Sequence, residues 1–90
     1  MSLPEIRRKI DAIDEQLLRL LNERADMVHE VGLVKKAEGS QIYAPEREET
    51  LLRALAAMNA SLKGRLPEKS VRAIYREFEE VFPRYTYLER

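Results

Sequence analysis

The ninety residues contain no cysteine and no tryptophan, one histidine, three glycines and four prolines. Without cysteine there is no disulfide framework, no thiolate nucleophile and no zinc-ribbon site. A lone histidine, His29, excludes the commoner histidine-rich metal centres, so neither a metal nor a cofactor is expected. Charge of one sign is missing too: sixteen Lys and Arg offset sixteen Asp and Glu, for a formal net charge of zero. A sequence-independent nucleic-acid binder needs a basic excess, so nucleic acid is not an expected partner. No apolar run approaches the ~20 residues of a membrane span, and the first residues hold no apolar core of a secretion signal. The expected location is therefore the cytoplasm. What is present is the length of one small domain, 44% hydrophobic and 36% charged, which suits a strongly patterned folded chain.

The pattern is helical throughout, and the expected fold class is all-α. Ser2-Leu3-Pro4-Glu5 reads as a helix start, with Ser2 as cap, Glu5 completing a capping box and Pro4 tolerated in the first turn. Apolar residues then recur at Ile6, Ile10, Ile13, Leu17, Leu20, Met27, Val31 and Val34. The alternating steps of four and three make a heptad seam. Gly39-Ser40 is the first stop signal, so helix 1 should span about 4–38, roughly 52 Å at 1.5 Å per residue. A compact chain of this size has a radius of gyration of only ~12 Å. Such a helix leaves much of its apolar stripe uncovered, and a second copy is the simplest cover, hence an expected homodimer. Helix 2 should open at Pro45 and run to about 59, with Glu46 and Glu48 in its first turn and Leu51, Leu52, Leu55 and Met58 on its stripe. Ala60 to Leu66, with Gly64, reads as a connector. Helix 3 should run over about 67–82 or beyond, presenting Val71, Ile74, Tyr75, Phe78, Val81 and Phe82, with Pro83 expected to end or kink it. The whole chain, 1–90, reads as a single domain.

Charges that interrupt this pattern carry the functional signal. Arg24 occupies the seam itself, between Leu20 and Met27. A buried guanidinium needs a partner, which leaves open a structural ion pair, a register-setting residue or an anionic ligand. Lys35 lies eleven residues on, nearly the same face and ~16 Å along the axis. It could also simply complement the helix dipole. Arg47 and Glu48 stand four residues before Leu51 and Leu52 and should point toward the core side. Taken together, Arg24, Lys35, Arg47 and Glu48 describe a cationic pocket with one carboxylate. Arg7 is ~25 Å from Arg24 along one helix and could reach such a pocket only from an antiparallel partner. His29 reads as a surface or partly packed residue rather than a catalytic base, Gly32 as a point of close backbone or ligand approach, and Tyr43, Tyr85 and Tyr87 as packing residues. A pocket of this kind binds a small polyanion and stabilises developing charge. It suits a reaction needing neither a covalent intermediate nor an obligatory proton transfer, of which unimolecular rearrangement of a dicarboxylate is one.

Ile6-Arg7-Arg8-Lys9-Ile10-Asp11-Ala12-Ile13-Asp14, with Leu17-Leu18 and Leu20-Leu21-Asn22-Glu23-Arg24, resembles the first helix of the all-helical (AroQ-class) chorismate mutases. Val31-Gly32 with Lys35, Ile42-Tyr43-Ala44-Pro45-Glu46-Arg47-Glu48-Glu49, and Leu66-Pro67 through Ile74-Tyr75-Arg76-Glu77 resemble that family's later signatures. The resemblance implies an intertwined homodimer of three-helix chains that converts chorismate to prephenate in aromatic amino-acid biosynthesis. By the same resemblance, Arg7 crosses from the partner subunit and Arg24 pairs with a substrate carboxylate. Lys35 donates to the ether oxygen, Arg47 helps hold the second carboxylate, and Glu48 accepts from the ring hydroxyl. Ala44 stands where the family often has aspartate and would contribute through its backbone. Phe82 stands where a small hydroxyl residue is common. Thr86 stands where the family has Gln or Glu as second donor to the ether oxygen, and Glu89 is the alternative donor in a shifted register. An isochorismate-pyruvate lyase on the same scaffold, or a non-catalytic dimerisation or regulatory module, are the rival readings. The sequence leaves open whether the natural protein continues into a further domain.

Overall fold

A computed structural model describes residues 1–39 and 45–88, with side chains except at positions 45, 79 and 81–88. Three helices follow one another, α1 (Leu3–Glu38), α2 (Pro45–Leu62) and α3 (Glu68–Leu88), with no strand among the described residues. The all-α expectation holds.

Local chemistry sets the ends of α1. The Ser2 hydroxyl accepts from the Glu5 N–H at 3.3 Å and donates to the Glu5 carboxylate at 3.0 Å, so cap and third residue hold each other. At the other end Gly39 takes the left-handed conformation (φ 75°) and its N–H returns to the Lys36 carbonyl at 3.2 Å. One later boundary differs from expectation. α2 continues to Leu62 rather than stopping near 59, because Ala60, Ser61 and Leu62 contain no breaker. The turn comes at Lys63, which adopts φ 52° although the glycine is its neighbour Gly64. α3 takes the longer of the expected courses, continuing through Pro83 to Leu88. A proline withholds one N–H from the ladder, and helical turns on both sides carry the backbone past that gap. The α2–α3 connector is tied by Asn59, whose amide donates to the Leu66 carbonyl at 2.8 Å.

α3 is the central element. It packs against α1 and against α2, while α1 and α2 do not pack on one another among the described residues. The core is small: among the described residues only Leu52, Ala56 and Val71 are buried hydrophobic side chains. On α1 the face toward the rest of the chain is a second stripe, Leu21, Ala25, Val28, Gly32 and Lys35, one position around from the seam. Its members are half-buried, and Gly32, which has no side chain to hold the helices apart, is buried.

The seam itself is bare. Ile6, Ile10, Ile13, Leu17, Leu20, Met27, Val31 and Val34 are all 38–61% exposed. The body measures 54 × 25 × 16 Å, and its radius of gyration is 16.2 Å against ~12 Å for a compact chain of this length. Accessible surface tells the same story: 7620 Å², where a compact 10.5 kDa monomer would expose about 5,400 Å².

Candidate active site

Arg24 is half-buried on α1, and two side chains of α3 lie against it. Its guanidinium carbon lies 5.6 Å from the centroid of the Tyr75 ring and 5.4 Å from that of Phe78. These two rings, one helical turn apart on α3, meet edge to face at 4.9 Å and 68°. The charge in the seam therefore rests on aromatic faces, which attract a cation through their quadrupole. A carboxylate or an anion was the partner expected from the sequence, and the rings were not. The available signal was the i, i+3 aromatic pair, which apolar periodicity alone assigns to core.

Lys35 is half-buried near the C-terminal end of α1, eleven residues and ~16 Å along the axis from Arg24. Glu48 is half-buried in the first turn of α2, four residues before the buried Leu52 and hence on the same side. Arg47 differs from expectation. It is exposed rather than directed at the core, because the α2 face that meets α3 centres on Leu52 and Ala56, and Arg47 stands ~140° around from Leu52. Arg7 is exposed near the start of α1, and the unbroken helix holds it ~25 Å from Arg24 of its own chain. His29 is exposed. Ala44 and Tyr43 lie outside the described residues, as do the side chains of Phe82, Tyr85, Thr86 and Tyr87; the backbone at Thr86 belongs to α3.

No charged residue is fully buried, and no cluster of potential metal ligands occurs, among the described residues. Arg24 and Lys35 on α1 and Glu48 on α2 are half-buried, while Arg47 on α2 is exposed. Guanidinium and ammonium groups of this kind pair with carboxylates through charge-assisted hydrogen bonds. The fold is a three-helix chain with an uncovered apolar helical seam that is interrupted by the half-buried cation Arg24.

Comparison with known proteins narrows that class. Residues 6–85 match the family described as chorismate mutase type II, and the chain belongs to that family. It is 40% identical over 76 residues to the bifunctional chorismate mutase/prephenate dehydratase of Aquifex aeolicus, covering 83% of this chain and 21% of that protein. To the protein of the same name from Neisseria gonorrhoeae it is 45% identical over 71 residues, covering 79% of this chain and 18% of that one. The chain thus spans about a fifth of the length of these relatives. A solved chorismate mutase from Thermus thermophilus superposes with a TM-score of 0.88 at 29% identity, covering 94% of this chain and 93% of that one. No described helix is long and apolar enough to cross a membrane.

Proposed function

We propose that this chain is a chorismate mutase, converting chorismate to prephenate for phenylalanine and tyrosine synthesis. The observation that carries the reading is Arg24, a cation at an apolar seam position of α1, held against α3 in a chain of this family. A dicarboxylate calls for several cations, and the reaction redistributes electrons within one ring of atoms. The ether C–O bond breaks as the new C–C bond forms, with no external proton, nucleophile or metal consumed. The protein's work is to hold the folded conformer and to stabilise charge appearing on the ether oxygen. In this reading Arg24 pairs with one carboxylate and Arg47 with the other. Lys35 donates to the ether oxygen, Glu48 accepts from the ring hydroxyl, and Thr86 on α3 stands at the position of a second donor. The Ala44 backbone adds to the carboxylate's surroundings.

The active form in this reading is a homodimer. Each chain exposes about 2,200 Å² more than a compact monomer would, and the exposed apolar seam runs along nearly the full length of α1. Two chains burying that excess reach the interface size of obligate dimers. Antiparallel α1 helices would carry Arg7 of each chain to the Arg24 end of the other's site. The location in this reading is cytoplasmic; the relatives from Aquifex aeolicus and Neisseria gonorrhoeae are bifunctional, with a prephenate dehydratase in the same protein.

Incubating the protein with chorismate and reading the product by proton NMR tests the activity. Prephenate should accumulate as chorismate disappears. Pyruvate released from isochorismate, with no prephenate formed from chorismate, would show a lyase instead, and turnover of neither would leave a binding or dimerisation module.

A further inference from the structure

Tyr75 and Phe78 have no place in the rearrangement just described, yet both lie against its first carboxylate-binding residue. The guanidinium carbon and the two ring centroids form a nearly equilateral triangle with sides of 4.9, 5.4 and 5.6 Å. Both rings are half-buried, so their faces are partly withdrawn from water, where a cation–π contact is stronger than at a fully exposed surface. They also sit on α3, the helix that packs on both of the others, so their own positions are fixed by the core.

We infer that Tyr75 and Phe78 are positioning residues: an aromatic brace that sets the Arg24 guanidinium before substrate arrives. The inference rests on the chorismate reading of the site and adds a specific pair of side chains to it. Stacking and carboxylate binding use different parts of a guanidinium. A guanidinium face can lie against a ring while the N–H fork at its edge stays available to a carboxylate, so the two contacts reinforce each other. Arginine otherwise has many rotamers to lose on binding an anion, and a brace removes part of that loss in advance. The 68° between the rings adds direction: a guanidinium cannot lie flat on both, so the pair limits rotation as well as translation. An arginine that holds a carboxylate in ground and transition states alike contributes uniform binding. Disturbing its brace should therefore raise KM and leave kcat almost unchanged.

Two readouts test this. The first is the Arg24 Nε–H signal in a nitrogen–proton NMR spectrum, assigned by its loss in Arg24→Lys. Ring currents should displace it in the unsubstituted protein, and Phe78→Leu, which keeps bulk but removes the π face, should move it toward the free-arginine position. The second is the kinetics. Phe78→Leu should raise KM about fivefold to tenfold with kcat held within about twofold, and Phe78→Tyr should restore KM. Tyr75→Leu is the parallel variant should Phe78→Leu lose its helical circular dichroism. An Arg24 signal that does not move overturns the brace, as does an unchanged KM or a fall confined to kcat. If the unsubstituted protein fails to convert chorismate, the chorismate reading falls, and the Arg24 signal alone then decides for or against the brace.

Discussion

Replacing both Ile13 and Leu17 by alanine asks whether a second copy covers α1. Ile13 is 53% exposed and Leu17 50%, so about half of each residue has still to leave water. Complete burial of such a side chain is worth roughly 1.5–3 kcal/mol, which leaves ~1 kcal/mol outstanding at each position. A two-fold dimer counts each position twice, so the double substitution removes ~4 kcal/mol from association. At 1.4 kcal/mol per factor of ten, the dissociation constant rises roughly a thousandfold. In a chain that works alone the sign reverses. Alanine is the better helix former by a few tenths of a kcal/mol, and residues facing water lose no packing, so stability would rise slightly. Sedimentation velocity and thermal unfolding, over protein concentrations from nanomolar to micromolar, separate the two cases. The unsubstituted protein should sediment at about twice the 10.5 kDa chain mass, with a Tm that climbs with concentration. The variant should dissociate and melt earlier. A folded wild-type monomer at micromolar concentration, or a double variant as associated and as stable as the parent, would refute the reasoning.

Arg7→Ala and Arg24→Ala should each be nearly inactive alone, and refolding them together should restore one good site per heterodimer. Heterodimers without recovered activity would show that Arg7 does not cross. Thr86→Gln should place an amide donor near the ether oxygen and raise kcat by about tenfold to a hundredfold, since one such donor is worth ~3 kcal/mol; an unchanged kcat would leave Lys35 as the donor there. Lys63 holds a left-handed φ of 52°, so Lys63→Gly should stabilise the fold by about 0.5–1 kcal/mol, read as a higher urea midpoint at constant slope.

Helix placement was legible wherever a local residue decides it. Ser2, Glu5 and Gly39 act through contacts within a few residues, and those contacts are present. Pro83 left two courses open for a related reason. Its effect is one missing hydrogen bond, and whether a helix survives that depends on the turns around it rather than on the proline. The face of α1 that meets α3 was hidden because Ala25, Val28 and Gly32 are small, and the heavier seam beside them dominates any periodicity. The pairing of Arg24 with Tyr75 and Phe78 joins residues about fifty positions apart, beyond the reach of spacing rules. Arg47 and Glu48 illustrate the limit of reading faces from neighbours: adjacent in the chain, they fall on opposite sides of the edge of the α2 contact.

From Met1 to Leu20 every residue of this chain is exposed, so that half of α1 takes little cover from the described residues of its own chain. A free helical segment of that length is marginal in water. Its amides should exchange with solvent readily until another chain lies across it, whereas those of α2 and α3 are guarded by packing within the chain. In the proposed homodimer the last stage of folding is then a collision. After dilution from denaturant, helix content from α2 and α3 should return in a phase independent of concentration. Activity should follow with a lag that shortens in proportion to the protein present, making the birth of each site a matter of how often two half-finished chains meet.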